Sequence, residues 1–204
     1  MDSFFTFEPS VASSDLLKVT DTSTATTMTE IIDRSIRVIP DYPEEGIQYR
    51  DLTTIWMDHR AFKTSVSAME CLSKVWFNKV VGVEAYGWVY AAIIAGRTGK
   101  PFVPIRKHGK LPSKTVEIPY RNDRDDRNCL CIHEDALSSD DRVLLVDDLI
   151  TTGESIKAAC KCIENLGAKV EKIIALIDFA DKGGKEKLIE QGYKVATVIT
   201  YSKQ

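Results

Sequence analysis

The hydrophobic positions of this chain change period several times along its length. Phe62, Val66, Met69, Leu72, Val75 and Trp76 recur at helical spacing, so one apolar stripe is predicted to face a core. Asp58 stands ahead of that stripe as its N-cap, and Thr29 holds the same place before a short helix reaching about Val38, where Pro40 and Pro43 break the chain. Residues 79–84 (KVVGVE) show no periodicity, which marks a strand buried on both faces. Gly87 then opens the helical run WVYAAIIAGRTG, and Gly99 stops it. Further strands are predicted at 102–105, 128–132, 142–147, 172–178 and 194–199. A helix at 155–166 turns Ile156, Ala159, Cys160 and Ile163 inward and ends at Gly167, and a shorter one lies near 185–191. Such alternation predicts a single α/β domain with a mostly parallel central sheet and helices on both faces.

Two stretches stand outside the pattern. Residues 1–28 hold eleven Ser or Thr and neither Gly nor Arg, and are expected to be a disordered leader before a domain at 29–204. They lack the basic start and apolar stretch of a secretory signal, and they are too acidic for a mitochondrial presequence. Residues 106–127 contain Gly109, Pro112, Pro119 and the charged run RNDRDDR. That is too polar for a core and too long for a plain connection, so a flexible lid is expected.

Composition narrows the function classes. The 204 residues, 44% hydrophobic and 28% charged, suit one globular domain. A net charge of −3 argues against a surface built to hold nucleic acid. No uncharged apolar run approaches the ~18–20 residues of a membrane span, so a soluble protein is expected. The five cysteines include no CxxC pair and are expected to be reduced. Cys129 and Cys131 face one side of a strand, whereas Cys160 and Cys162 diverge on a helix. His59, His108 and His133 show no ligand spacing, so no metal held by protein side chains is expected.

The strongest chemical signal is VLLVDDLITTGES at 143–155. Four apolar residues bring a buried strand to the sheet edge, where Asp147 and Asp148 emerge. Thr151, Thr152, Gly153, Glu154 and Ser155 then turn into the next helix, offering hydroxyls and backbone N–H groups at a positive helix end. That is a phosphate site, and Gly153 lets the backbone approach the anion. Two carboxylates there would repel the phosphate. Vicinal ribose hydroxyls, as donors, fit them instead.

This segment resembles the phosphoribosyl-pyrophosphate motif of the type I phosphoribosyltransferases. IPDYPEEGIQYRDLT, VVGVEAYGWVYAAIIA, FVPIRKHGKLP and LCIHEDAL, in that order, resemble segments of the adenine phosphoribosyltransferases over roughly residues 29–190. The resemblance implies transfer of phosphoribose to a purine base with release of pyrophosphate, magnesium carried on the phosphoribosyl pyrophosphate, and a homodimer. It places the 5′-phosphate on residues 151–155 and the ribose hydroxyls on Asp147 and Asp148. Pyrophosphate falls to Ala85, Tyr86, Arg106, Lys107 and Lys110. The base falls to Gln48, Arg50 and Leu149.

The chain departs from the family pattern at three places. Tyr86 stands where the pyrophosphate loop usually has Arg, which removes a positive charge. The flexible loop lacks the Leu-Glu-Tyr-Gly signature, and counting from GKLP puts Asp123 where its Glu would fall. Gln48 replaces a usually apolar neighbour of the base, and Glu154 sits inside the phosphate loop. The leading expectation is adenine salvage giving AMP. The same chemistry on another base, or a nucleotide-binding relative without turnover, is the alternative.

Overall fold

The computed structural model describes residues 18–19, 26–122 and 125–202. Asp123 and most of the Ser/Thr-rich leader lie outside the described residues. A short strand β1 (Lys18–Val19) pairs antiparallel with β2 (Thr26–Thr27), and α1 (Met28–Ser35) follows directly. Thr27, rather than the expected Thr29, caps α1. Its hydroxyl accepts the Glu30 N–H at 3.2 Å, and the Glu30 carboxylate accepts the Thr27 N–H at 2.8 Å.

The chain leaves α1 at Ile36 and forms a hairpin that the proline pattern concealed. Strand β3 (Arg37–Pro40) pairs antiparallel with β4 (Gln48–Asp51), and Arg37 meets the Asp51 carboxylate at 2.5 Å. Helices α2 (Thr53–Met57) and α3 (His59–Leu72) come next. Asp58 caps α3 by accepting the Ala61 N–H at 2.6 Å. The expected apolar stripe is too long by two positions. Ser73 turns its hydroxyl and N–H onto the Glu70 carbonyl and ends α3, so Val75 only packs against the core from outside, and Trp76 is 70% exposed.

The central layer has seven strands. In chain order they are β5 (Lys79–Val83), β6 (Phe102–Lys107), β7 (Thr115–Asn122), β8 (Asp125–His133), β9 (Arg142–Ile150), β10 (Lys169–Phe179) and β11 (Val195–Tyr201). They lie in the order β11-β10-β9-β5-β6-β8-β7, parallel from β11 to β6. Helices α4 (Gly87–Thr98), α5 (Glu154–Asn165) and α6 (Gly184–Glu190) complete the crossovers. Leu144 and Val146 of β9 join the core shared with Ile32, Met69 and Tyr90, while Val143 and Leu145 join Ile156, Ala159 and Ile163 of α5 on the opposite side. A strand covered on both faces needs no polar alternation, which is why β9 reads as an unbroken apolar run. Among the described residues no helix is long and apolar enough to cross a membrane.

The segment expected as an irregular lid is mostly a hairpin. β7 and β8 pair antiparallel, and β8 continues the sheet by pairing antiparallel with β6. Val116, Ile118 and Tyr120 alternate toward the core that includes Leu130 and Ile132. Pro119 is tolerated because β7 is the sheet's edge, where a missing N–H breaks no ladder.

One buried polar chain ties the helical layer to the site side. The Tyr90 hydroxyl, fully buried, lies 3.3 Å from both Ser65 Oγ and Trp56 Nε1, and the Trp56 ring meets Tyr86 edge-on at 4.7 Å. Tyr90→Phe leaves the Trp56 N–H without its acceptor. It should lower unfolding free energy by about 1–2 kcal/mol in chemical denaturation, with the fold retained.

Candidate active site

Strand β9 carries the apolar run out of the core and ends beside the start of α5. Asp147 is 5% exposed and Asp148 half-buried, and the Asp148 N–H donates to Asp147 Oδ1 at 2.9 Å. Burial pushes the Asp147 carboxyl well above the ordinary aspartate range, and the Asp148 charge pushes it further. Burial also raises Asp148, against hydrogen bonds that favour its charged form. Negative charge on either carboxyl is therefore costly at this place, and a ligand with donors or positive charge offsets that cost.

The loop after β9 is shaped for an anion. Gly153 has φ +80°, a left-handed conformation that side-chain-bearing residues rarely adopt. It is the N-cap of α5, yet no side chain caps that helix, so its first N–H groups remain available. Thr151, Thr152, Glu154 and Ser155 line a cavity of about 260 Å³ together with Asp147, Asp148, Leu149, Lys107 and Tyr120. Val83 and Glu84 of the β5 end close it.

Two glycines make the loop possible by close approach. A Cβ on Gly87 would stand 2.8 Å from the Val146 carbonyl and 2.9 Å from Asp147 Oδ1, so α4 can begin against β9 only without one. A Cβ on Gly184 would stand 2.1 Å from the Thr151 carbonyl. The start of α6 is thus pressed onto the loop between β9 and α5. Lys185 holds it there, donating to Thr197 Oγ1 at 2.8 Å and lying 3.9 Å from the Asp178 carboxylate, which is 1% exposed.

The remaining candidates are placed less directly. Of the basic trio only Lys107 lines the cavity. Arg106 is committed elsewhere: Nε lies 3.4 Å from Glu84, one terminal nitrogen donates to the Lys110 carbonyl at 2.9 Å, and the guanidinium sits over Trp88. Lys110 is exposed in the turn beyond β6, as is Ala85 between β5 and α4, while Tyr86 is half-buried against Trp56. Leu149 lines the cavity, whereas Gln48 and Arg50 belong to the β3–β4 hairpin. The Arg50 guanidinium lies 3.5 Å from the Tyr201 ring centroid, and its buried Nε has no hydrogen-bond partner among the described residues. Glu84, Tyr120, Gly184 and Lys185 were missed. Only the apolar alternation around Tyr120 offered a sequence signal, because the others matter through contacts distant in the chain.

A parallel sheet with an uncapped, glycine-started helix beside paired aspartates defines a class, and sequence comparison bears this out. The phosphoribosyl transferase domain matches residues 71–203. The adenine phosphoribosyltransferase of Lachnoclostridium phytofermentans is 40% identical over 172 residues, 84% of this chain and 97% of that protein. The one from Butyrivibrio fibrisolvens is 42% identical over 164 residues, 80% and 89% of the two chains. The crystal structure of adenine phosphoribosyltransferase from Thermoanaerobacter pseudethanolicus superposes with a TM-score of 0.79 at 37% identity, covering 85% of this chain and 99% of that one. The Saccharomyces cerevisiae enzyme, complexed with an imino-altritol bisphosphate and adenine, gives 0.77 at 26% identity, over 84% and 98%. This chain belongs to the adenine phosphoribosyltransferase family.

The raised Asp147 carboxyl has a stability consequence. The folded state binds its proton more tightly than the unfolded chain, so apo stability falls as pH rises from about 4, the unfolded value, to the folded one. Asp147→Asn should therefore raise the apo melting temperature at neutral pH and flatten that decline. Parallel thermal melts across pH check it, and a lower neutral melting temperature for the variant would refute the assignment of buried charge.

Proposed function

We propose that this protein transfers the 5-phosphoribosyl group of phosphoribosyl pyrophosphate to adenine, giving AMP and pyrophosphate. The observation that carries the reading is the cavity in which Asp147 and Asp148 adjoin the uncapped start of α5. The family's naming for adenine and the adenine bound to the yeast relative support the choice of base.

In this reading the hydroxyls and N–H groups of Thr151, Thr152, Gly153, Glu154 and Ser155 hold the 5′-phosphate at the positive end of α5. Asp147 and Asp148 accept hydrogen bonds from the ribose hydroxyls and fix the sugar ring. Leu149 packs on the base, and Arg50, with its unpartnered Nε, supplies a donor to the base side beside Gln48. Lys107 of the cavity wall, with Lys110 and the 85–86 backbone, faces the pyrophosphate, and Arg106 joins them only by leaving its contact with Glu84. The carbon–oxygen bond to pyrophosphate breaks as the adenine nitrogen bonds to that carbon, and the nitrogen's proton is lost. Positive charge on the sugar in the transition state gains from the nearby carboxylates, which are fixed before reaction. Magnesium, when carried on the phosphoribosyl pyrophosphate, would neutralise charge on the leaving pyrophosphate. Carboxylate oxygens, the hard donors such a cation prefers, line the same cavity at Asp147 and Asp148. The protein acts in the cytoplasm, which suits its five free cysteines, and as a homodimer, as its family membership suggests.

Asp123, which follows β7 in the sequence, is the proposed proton acceptor from adenine. Asp123→Asn should lower turnover by about 10²–10⁴-fold with AMP affinity nearly unchanged. Native turnover in that variant removes Asp123 from the mechanism.

The reading itself is tested by incubation with phosphoribosyl pyrophosphate, magnesium and adenine, guanine or hypoxanthine, following pyrophosphate release. Adenine should be the preferred base, and absence of release with every base would overturn it. The Asp147→Asn, Asp148→Asn double variant should bind phosphoribosyl pyrophosphate and AMP more weakly by about 1.5–3 kcal/mol per lost charged hydrogen bond. Calorimetry showing unchanged affinity for both would reject the ribose contact.

A further inference from the structure

Pairing of β8 with its neighbours gathers four metal-ligating side chains that are dispersed in the sequence. Cys129 and Cys131 alternate onto one face of β8. Glu117 of β7 lies opposite Cys131 in register, and His108, just past β6, donates its backbone N–H to the Cys129 carbonyl at 3.1 Å. The His108 Nδ1 and Glu117 carboxylate are 2.9 Å apart, and one donor atom from each of the four residues lies within 4.8 Å of all the others. Cys131 is 1% exposed and Cys129 half-buried, whereas His108 and Glu117 stand at the surface. The thiols thus lie beneath two surface side chains that an ion can reach from solvent.

We propose that His108, Glu117, Cys129 and Cys131 form a zinc site that fastens the β7–β8 hairpin to the end of β6. Two sulfurs, one imidazole and one carboxylate make a four-ligand set suited to tetrahedral Zn²⁺, and the two soft sulfurs disfavour magnesium or calcium. Thiolate–zinc bonds of about 2.3 Å require the donor atoms to draw together from their present spacing. The exposed His108 and Glu117 side chains can move to do so, exchanging their mutual hydrogen bond for coordination. On binding, each thiol loses its proton to solvent as its sulfur bonds to the metal.

The position gives the site a consequence for the neighbouring cavity. His108 directly follows Lys107, and Tyr120 lies on the hairpin that carries Glu117; both Lys107 and Tyr120 line the cavity. Zinc therefore ties two walls of that cavity together. This linkage is structural and does not depend on which base is used. It is also separate from the magnesium that the proposed substrate would carry.

The test uses the full-length chain, reduced, freed of metal with a chelator and exchanged out of it. Titration with Zn²⁺ against a chromophoric zinc chelator should show about one tight equivalent per chain. Co²⁺ should give a sulfur-to-metal charge-transfer band and the intense visible bands of a tetrahedral ion. Zn²⁺ should raise the melting temperature. Cys129→Ser, and separately His108→Ala and Glu117→Gln at the surface, should weaken Zn²⁺ binding by about 10²-fold or more, since changes to residues merely supporting a metal ligand already cost 10–100-fold. Cys71→Ser, a thiol on α3, should leave binding unchanged. Absence of a tight equivalent overturns the proposal. So does binding that survives both the His108 and Glu117 changes, because the metal would then be held by thiols alone or elsewhere.

Discussion

The constraint on which the rest of this structure depends is a buried pair of carboxylates at the end of a strand with no polar face. β9 is enclosed by β5 and β10 and by apolar residues above and below, so its backbone has one position and one register. Asp147 and Asp148 follow that register into a place where their charge is costly. In the proposed reading, a ligand that donates to them recovers that cost.

Neighbouring elements are fitted to that point by omission of atoms more than by added contacts. Gly87 lets α4 begin against the Val146 carbonyl, and Gly184 lets α6 press on the Thr151 carbonyl. Gly153 turns the chain with a positive φ and leaves α5 uncapped, so the helix end faces the cavity and not one of its own side chains. The Asp178–Lys185 contact and the Lys185–Thr197 hydrogen bond hold α6 in place from the far side. Each of the three glycines permits a backbone-scale adjustment that a single methyl group would undo.

Two antiparallel additions complete the molecule, and they do different work. The β3–β4 hairpin brings Arg50 onto Tyr201 at the end of β11, joining an early segment to the last strand. The β7–β8 hairpin extends the sheet beyond β6 and places Tyr120 in the cavity wall, with the His108–Glu117–Cys129–Cys131 cluster at its base. Its strand character also accounts for the proline and charges of that region. An edge strand accepts Pro119, and alternating Val116, Ile118 and Tyr120 suffice to seat it.

The sequence by itself determined the parallel core, its helices and the glycine turn from β9 into α5, because these depend on short-range properties. Apolar period, helix caps such as Asp58, glycine stops such as Gly99, and the run from Val143 to Ser155 are each complete within a few residues. The tertiary structure alone decided what depends on residues far apart in the chain. Only folding showed that α3 stops before Trp76, that Arg106 turns to Glu84 and not to the cavity, that Gly184 underlies Thr151, and that His108 and Glu117 meet two cysteines. The physical reason is that local preference is set by a residue and its near neighbours. Strand register, close backbone approach and side-chain convergence are set by packing, which no single segment encodes alone.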